Sequence, residues 1–182
     1  MNLSDLTLIV AAGGKSTRMG QDKRFLPLDG ESLLARTLRK GRAAGFRSIV
    51  LAAEEAREEL TILAAEFGAI LVTDEIPAQG PAAAIAAGLS AAKTEWSLVV
   101  SADMPFYDIE LARALLPHAE GDTQVVLPTL SDYWQPLAAL YRRDAGTAFA
   151  AAIARGDRKL GLILRELVVR EVPLTVDAGL LF

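Results

Sequence analysis

Short apolar runs alternate with longer segments of helical periodicity along the first two thirds of the chain. Four runs have the length and composition of buried strands: Leu6 to Ala11, Ser48 to Ala53, Ala69 to Thr73 and Trp96 to Ser101. Helical spacing follows each of them, over Ser32 to Ala44, Glu54 to Phe67, Ala82 to Ala92 and Asp108 to Leu116. Such alternation predicts a parallel sheet with helices on both faces and right-handed crossovers.

The last third of the chain is less regular. Strands are predicted over Gln124 to Thr129, Trp134 to Arg142 and Val168 to Pro173, and helices over Ala145 to Arg155 and Arg158 to Leu167. No repeat, linker or shift in composition marks a boundary. We therefore expect residues 1–182 to form a single α/β domain of three layers, Rossmann-like, with a mostly parallel twisted sheet and helices on both faces.

A glycine-rich, cationic segment follows the first predicted strand. Its adjacent glycines, Gly13 and Gly14, let backbone N–H groups approach an anion with no Cβ in the way. Hydroxyl and cationic side chains add further donors: Lys15, Ser16, Thr17, Arg18, Lys23 and Arg24. This pattern predicts a cradle for the phosphates of a nucleoside triphosphate.

Two familiar phosphate motifs do not fit this segment. The P-loop needs GxxxxGK[ST], and Ile9 stands where its first glycine should be. The dinucleotide pattern GxGxxG fails as well, because no glycine follows Gly14 until Gly20.

Asp103 follows directly after the fourth predicted strand. If the strand order is 3-2-1-4, the loops after the first and fourth strands flank the point where ligands bind to an open α/β sheet. Mg²⁺ in phosphate sites is held by one or two carboxylates, with phosphate oxygens and water as its other ligands. We therefore predict that Asp103 is the metal ligand. The alternative is that it caps the next helix, for which Asp108 is better placed.

Composition excludes several classes of function. The 182 residues carry a net charge of −4, so no overall basic field points to nucleic acid or an anionic membrane as partner. The absence of cysteine excludes disulfides and thiol nucleophiles, and the single histidine, His118, is expected at a helix end without a role. No apolar run approaches the roughly 18 residues of a membrane span, and no positively charged leader precedes the first strand. A cytoplasmic location is expected.

The segment GGKSTRMGQDK, followed by an apolar stretch and Asp29-Gly30, resembles the GGxSxRMGxDK signature of the molybdenum cofactor guanylyltransferases, the MobA-like nucleotidyltransferases. The alternative is a solvated loop that is basic and glycine-rich by chance. SADMP resembles the CDxP motif of that family, which places Asp103 on its magnesium-binding aspartate. Asp74 matches an aspartate near the nucleotide, and Gly80-Pro81 resembles the GPLAGI segment, whose backbone lies against guanine and ribose.

Two later segments extend the likeness. Gln135-Pro136-Leu137 resembles the [HQ]PL..LY segment on the acceptor side, and Arg155 to Lys159 resembles a G-x-R-[SK] segment. The neighbouring Tyr133 and Trp134 suit either the acceptor face or the core, and we expect the core. The nucleotide-binding residues predicted in this way are Ala11, Ala12, Gly13, Gly14, Lys15, Ser16, Thr17, Lys23, Asp74, Gly80, Pro81 and Asp103. The residues predicted to be catalytic are Arg18, Lys23 and Asp103.

The resemblance implies transfer of GMP from GTP to the phosphate of molybdopterin carrying its metal, with Mg²⁺ as cofactor. The products would be molybdopterin guanine dinucleotide and pyrophosphate. It also implies contacts with other proteins of cofactor biosynthesis. Two features depart from the family: Ala52, Ala53 and Glu54 stand where some members have an asparagine pair, and the sequence ends where an NxNTPxD motif would begin. Either the sequence is shortened there or part of the site is missing.

Other functions stay open at this point. A relative of the same fold could use CTP or act on a sugar or polyol phosphate, although Gly13-Gly14 and Asp22-Lys23 favour the guanylyl branch. A nucleotide-binding regulatory domain without turnover would bind nucleotide but release no pyrophosphate. A purely structural module fits least, since it leaves the cationic segment and Asp103 without a purpose.

Overall fold

The computed structural model describes residues 1–13, 22–73, 80–104, 107–108 and 110–174. Strands within these ranges are β1 (Thr7–Ala12), β2 (Pro27–Leu28), β3 (Glu31–Ser32), β4 (Ser48–Ala53), β5 (Ile70–Thr73), β6 (Trp96–Ser101), β7 (Val125–Leu130), β8 (Tyr133–Trp134), β9 (Ala138–Arg142) and β10 (Val169–Pro173). The α-helices are α1 (Leu33–Ala43), α2 (Glu58–Glu66), α3 (Pro81–Ala91), α4 (Glu110–Leu115), α5 (Ala145–Ala154) and α6 (Leu160–Leu164). Short 3₁₀ turns lie at Leu3–Asp5, Lys23–Phe25 and Leu116–His118.

The main sheet has the order β10-β7-β9-β6-β1-β4-β5, with β8 beside β7. Strand β1 pairs in parallel with β4 and β6, β4 with β5, and β10 with β7. Strand β9 runs antiparallel between β6 and β7, and the short β8 also pairs antiparallel with β7. The predicted α/β class with a mostly parallel sheet is confirmed. The first four predicted strands take the order 3-2-1-4.

Helices cover both faces of β1, whose six residues are all buried. Leu8 and Val10 belong to the core on the α1 face, whereas Ile9 and Ala11 belong to the core on the α3 face. Both helices approach closely through glycine. A Cβ on Gly41 would lie 2.3 Å from Leu8 Cδ2, and one on Gly88 would lie 2.4 Å from Ile9 Cγ2. The packing of α1 and α3 therefore fixes both helices against β1.

Three predicted elements are wrong in their extent. The helix predicted over 158–167 covers only Leu160–Leu164, because the chain beyond it forms a turn in which Glu166 N donates to Ile163 O at 3.0 Å. The helix predicted over 54–67 begins only at Glu58, because Arg57 is extended and the acidic pair Glu58–Glu59 occupies the first turn, where the helix dipole favours it. The strand predicted over 134–142 is two strands, β8 and β9. Pro136 has no N–H to donate, and the intervening residues form a turn in which Ala138 N donates to Gln135 O at 3.0 Å.

The β2–β3 hairpin was not predicted. Asp29 and Gly30 connect its strands, with φ values of 53° and 83°. Two consecutive left-handed residues are typical of the tight turns in hairpins, and Asp-Gly is a common sequence for them. The Asp29-Gly30 dipeptide was therefore the sequence feature from which this hairpin could have been predicted.

The helices in the described part of the chain are all too short or too polar to cross a membrane.

Candidate active site

Three segments meet at the carboxyl edge of the sheet, around the end of β1. After β6 the chain stays beside β1, because Ala102 N donates to Ala11 O at 3.0 Å. Gly13 follows β1 and lies against the start of α3, since a Cβ there would be 3.8 Å from both Gly80 O and Ala84 Cβ. Because β4 and β5 extend the sheet on one side of β1 and β6 lies on the other, this is the point where the strand order reverses. Ligands of open α/β sheets bind at such a point.

Gly80 and Pro81 begin α3 at this edge. Gly80 has a φ of 70° and a ψ of −160°, a conformation that glycine adopts easily, and Pro81 occupies the first turn, where its missing N–H costs nothing. The N–H groups of that turn and the positive end of the helix dipole favour an anion. The structure thus brings the predicted Gly80-Pro81 segment and Gly13 together.

Asp103 is exposed just beyond β6. Ser101 Oγ donates to its Oδ1 at 2.5 Å, and no cationic side chain pairs with it within the described part of the chain. Its loop is anchored by Met104 and Tyr107, which are 6% and 5% exposed, and Tyr107 N donates to Met104 O at 3.1 Å. From α1, Lys40 Nζ donates to Tyr107 O at 3.4 Å, and burial lowers the pKa of Lys40. The exposed carboxylate of Asp103 is therefore followed by residues that are buried and fix the loop to the protein.

This donor set fits a hard cation of the magnesium type. No cluster of three or more His, Cys, Asp or Glu side chains that could hold a metal occurs among residues 1–13, 22–73, 80–104, 107–108 and 110–174. A single carboxylate suits Mg²⁺ when phosphate oxygens and water supply the other positions.

Lys23 and Arg24 are adjacent cations with opposite environments. Lys23 is exposed, whereas Arg24 is 6% exposed and points into the protein. The guanidinium of Arg24 donates to Ala12 O at 2.5 Å and to both carboxylate oxygens of Asp22. That hydrogen bonding, followed by the charges of Arg24 and Arg57, lowers the pKa of Asp22 despite its partial burial. Arg24 thus joins the end of β1 to the turn that carries Lys23.

The structural importance of Arg24 was not predicted from the sequence, which placed it only among the donors of the cationic segment. The available signal was the spacing of Asp22 and Arg24, two residues apart on one side of a turn. Several predicted site residues lie outside the described part of the chain: Gly14, Lys15, Ser16, Thr17, Arg18 and Asp74. Ala11 and Ala12 are buried at the end of β1, and their side chains belong to the core.

The turn between β7 and β8 lies at the same carboxyl edge. Trp134 is partly buried and packs against the core, as predicted, but Tyr133 is 75% exposed, so the prediction of a core position is wrong for Tyr133. Ser131 and Asp132, with φ values of 47° and 66°, form the tight turn between the two strands. Tyr133 and Trp134 are consecutive in β8 and therefore point to opposite faces.

Comparison with known proteins gives consistent matches over most of the chain. The family described as the MobA-like NTP transferase domain matches residues 8–172. The probable molybdenum cofactor guanylyltransferase of Natronomonas pharaonis is 32% identical over 160 residues, which are 87% of this chain and 79% of the relative.

Two solved structures show the same fold. Molybdopterin-guanine dinucleotide biosynthesis protein A from Archaeoglobus fulgidus has a TM-score of 0.75 and 26% identity, over 92% of this chain and 83% of its own. Rv0371c from Mycobacterium tuberculosis, in complex with manganese, has a TM-score of 0.67 and 18% identity, over 93% and 88% of the two chains.

Proposed function

We propose that the chain, which belongs to the family of the MobA-like NTP transferase domain, transfers GMP from GTP to the phosphate of molybdopterin and releases pyrophosphate. It is a nucleotidyltransferase. The choice of GTP and molybdopterin rests on the names of its relatives, of which that of Natronomonas pharaonis is a probable molybdenum cofactor guanylyltransferase. The observation that carries the proposal is the meeting of Gly13, the start of α3 and Asp103 at one edge of the sheet.

The reaction needs no protein nucleophile. The phosphate of the acceptor attacks the α-phosphorus of GTP, the bond to the β-phosphate oxygen breaks, and pyrophosphate leaves. The contribution of the protein is then to hold the two substrates in line and to offset their negative charge. Positioning and charge compensation require only backbone donors, cations and a carboxylate, which are the groups proposed for this site.

The predicted catalytic residues and the backbone of the glycine-rich segment each have a role in this proposed reaction. The N–H groups from Gly13 to Thr17 hold the β- and γ-phosphates, and Lys23 and Arg18 offset charge on the α-phosphate and the departing pyrophosphate. Asp103 would hold Mg²⁺, and the ion would supply positive charge to the phosphates. Manganese bound to Rv0371c, a protein of the same fold, supports a divalent cation in this fold.

Substitution of Lys23 and Asp103 tests these roles. Loss of one preorganised group that stabilises developing charge typically lowers turnover by about 10²–10³-fold. We expect Lys23→Ala and Asp103→Asn each to lower the rate of pyrophosphate release by at least about a hundredfold while the melting temperature stays within a few degrees.

The chain offers matched controls for both substitutions. Lys93 and Asp122 are exposed and precede β6 and β7, so they lie at the opposite, amino edge of the sheet. Lys93→Ala and Asp122→Asn should leave the rate unchanged. Rates near wild type in Lys23→Ala or Asp103→Asn would contradict the assigned roles.

Calorimetric titration with GTP, CTP, ATP and UTP, each with Mg²⁺, tests the choice of base. Preference for GTP supports the proposal. Preference for CTP would assign the chain to a cytidylyl reaction with the same mechanism. Tight binding without pyrophosphate release in the presence of any acceptor would identify a nucleotide-binding domain without turnover.

A further inference from the structure

We propose that Asp22, Arg24 and Arg57 are positioning residues, which act on the reaction by fixing the backbone that presents Lys23. The inference rests on the role proposed for Lys23. The three charged side chains connect the end of β1, the turn at Lys23–Phe25 and the segment that precedes α2. No sequence motif assigns a role to Arg24 or Arg57.

Arg24 is the centre of this arrangement. Its Nε lies 2.8 Å from Asp22 Oδ1, one terminal nitrogen lies 2.5 Å from Asp22 Oδ2, and the other lies 2.5 Å from Ala12 O. A planar guanidinium that grips both oxygens of a carboxylate fixes orientation as well as distance, which a lysine cannot do. Arg24 N also donates to Asp22 Oδ1 at 3.2 Å. We call this set of contacts between Asp22, Arg24 and Ala12 O the clamp; the backbone of Arg24 is part of it.

The clamp determines where Lys23 points. Lys23 stands between the two residues that form it, and Phe25 N and Leu26 N close the turn by donating to Asp22 O and Lys23 O. With the side chain of Arg24 directed inward to Ala12, that of Lys23 is left exposed. A loosening of this turn would move the Lys23 ammonium relative to any phosphate that it binds.

Arg57 connects the clamp to the segment after β4. Its guanidinium lies 3.4 Å from Asp22 Oδ2, with 34% of the side chain exposed, and its Nε also donates to Glu55 Oε1 at 2.7 Å. Since β4 is a neighbour of β1 in the sheet, the turn is braced against two strands.

The same contacts give Asp22 and Asp103, the two carboxylates near the site, different roles. Both oxygens of Asp22 are bonded to guanidinium groups, and its side chain is 20% exposed. Asp103 is exposed and has no cationic partner within the described residues. Asp22 is therefore committed to holding Arg24 and Arg57, and Asp103 is the carboxylate available to a metal ion.

A double-mutant cycle distinguishes positioning from a general structural role. Asp22→Asn keeps the shape of the side chain and removes its charge, and Arg24→Lys keeps a cation and removes the fork. Misplacement of a reacting group by about 1 Å can cost on the order of a hundredfold in rate. We expect each substitution to lower kcat by about tenfold to a hundredfold in the wild-type background, and by less than about twofold when Lys23 is already alanine.

Asp144 and Arg142 provide a matched control. They form the same two-residue fork, with Arg142 Nε 2.9 Å from Asp144 Oδ1 and a terminal nitrogen 2.7 Å from Oδ2. This pair lies at the end of β9, where Arg142 is paired with Trp96 at the start of β6, and so lies at the opposite edge of the sheet. Asp144→Asn should lower the melting temperature about as much as Asp22→Asn and leave kcat unchanged.

The outcomes separate this inference from the proposed function. If Asp22→Asn lowers kcat by the same factor with and without Lys23, the clamp acts independently of Lys23 and the inference is refuted. An unchanged kcat in Asp22→Asn and Arg24→Lys, while Lys23→Ala is impaired, refutes it as well and leaves the proposed function standing. A wild-type rate in Lys23→Ala removes the role of Lys23, and with it both proposals about that residue.

Discussion

Replacing Gly88 by alanine tests how closely α3 packs on β1, and with it the placement of Gly80 and Pro81 at the carboxyl edge. A Cβ on Gly88 would lie 2.4 Å from Ile9 Cγ2 and 3.1 Å from Ile9 Cδ1. Ile9 is fully buried and β-branched, so it has no room and few rotamers with which to move aside. The helix must shift outward to accept the methyl group.

Two opposing contributions set the size of the effect. Alanine is favoured over glycine inside a helix by about 0.8–1.0 kcal/mol. Overpacking a filled core costs about 1–3 kcal/mol. The net change in the free energy of unfolding is then a loss of up to about 2 kcal/mol, and 1 kcal/mol corresponds to about 2–4 °C in a chain of this size.

Gly161→Ala is the control, because a Cβ on Gly161 in α6 meets nothing within 4 Å. It should raise the free energy of unfolding by up to about 1 kcal/mol. The difference between the two variants in urea unfolding largely removes the helix contribution and should be about 1–3 kcal/mol. Equal stabilisation by both substitutions would show that α3 does not touch Ile9 as described.

Two further predictions concern charged side chains. The pKa of Asp22 is held below its ordinary value, so its charge stabilises the folded state above the pKa of the unfolded chain, about 3.9, and this contribution is lost as the pH falls through the lower folded pKa. The difference in the free energy of unfolding between wild type and Asp22→Asn, measured in urea, should be constant above about pH 5 and shrink below about pH 4. A difference that becomes larger at acidic pH would contradict this prediction. Arg42 donates to the carbonyl oxygens of Phe46, Arg47, Phe67 and Gly68. Arg42→Gln should cost about 1–3 kcal/mol in thermal unfolding, whereas Arg47→Gln, whose exposed side chain has no such contacts among the described residues, should cost nothing measurable.

The central strands were predictable because a buried parallel strand is a continuous apolar run with sharp limits. Ser48–Ala53 and Trp96–Ser101 agree residue for residue with the expectation. The location of Asp103 followed from the same fact, since a residue just beyond a parallel strand lies at the carboxyl edge. The direction of β9 was not predictable, because strand periodicity carries no information on orientation.

The clamp at Asp22 and Arg24 was beyond sequence reasoning for a different reason. Loops have no hydrophobic periodicity, and the spacing of Asp22 and Arg24 indicates only that the two can pair, not that Arg24 turns inward while Lys23 stays exposed. The helical spacing over 54–57 was misleading in the same way: it continues through Arg57, whose backbone is extended and whose guanidinium contacts Asp22 instead. In both places a contact with another segment of the chain overrides the local pattern, that of Arg24 with Ala12 O and that of Arg57 with Asp22.

Pyrophosphate release in the presence of molybdopterin tests the proposed guanylyl transfer most directly. The purified protein is mixed with Mg²⁺, molybdopterin and, in turn, GTP, CTP, ATP or UTP, and the pyrophosphate and the dinucleotide product are measured. We predict release that requires molybdopterin, is fastest with GTP and yields the guanine dinucleotide. No release with GTP under conditions in which another nucleotide reacts, or none with any nucleotide, would contradict it.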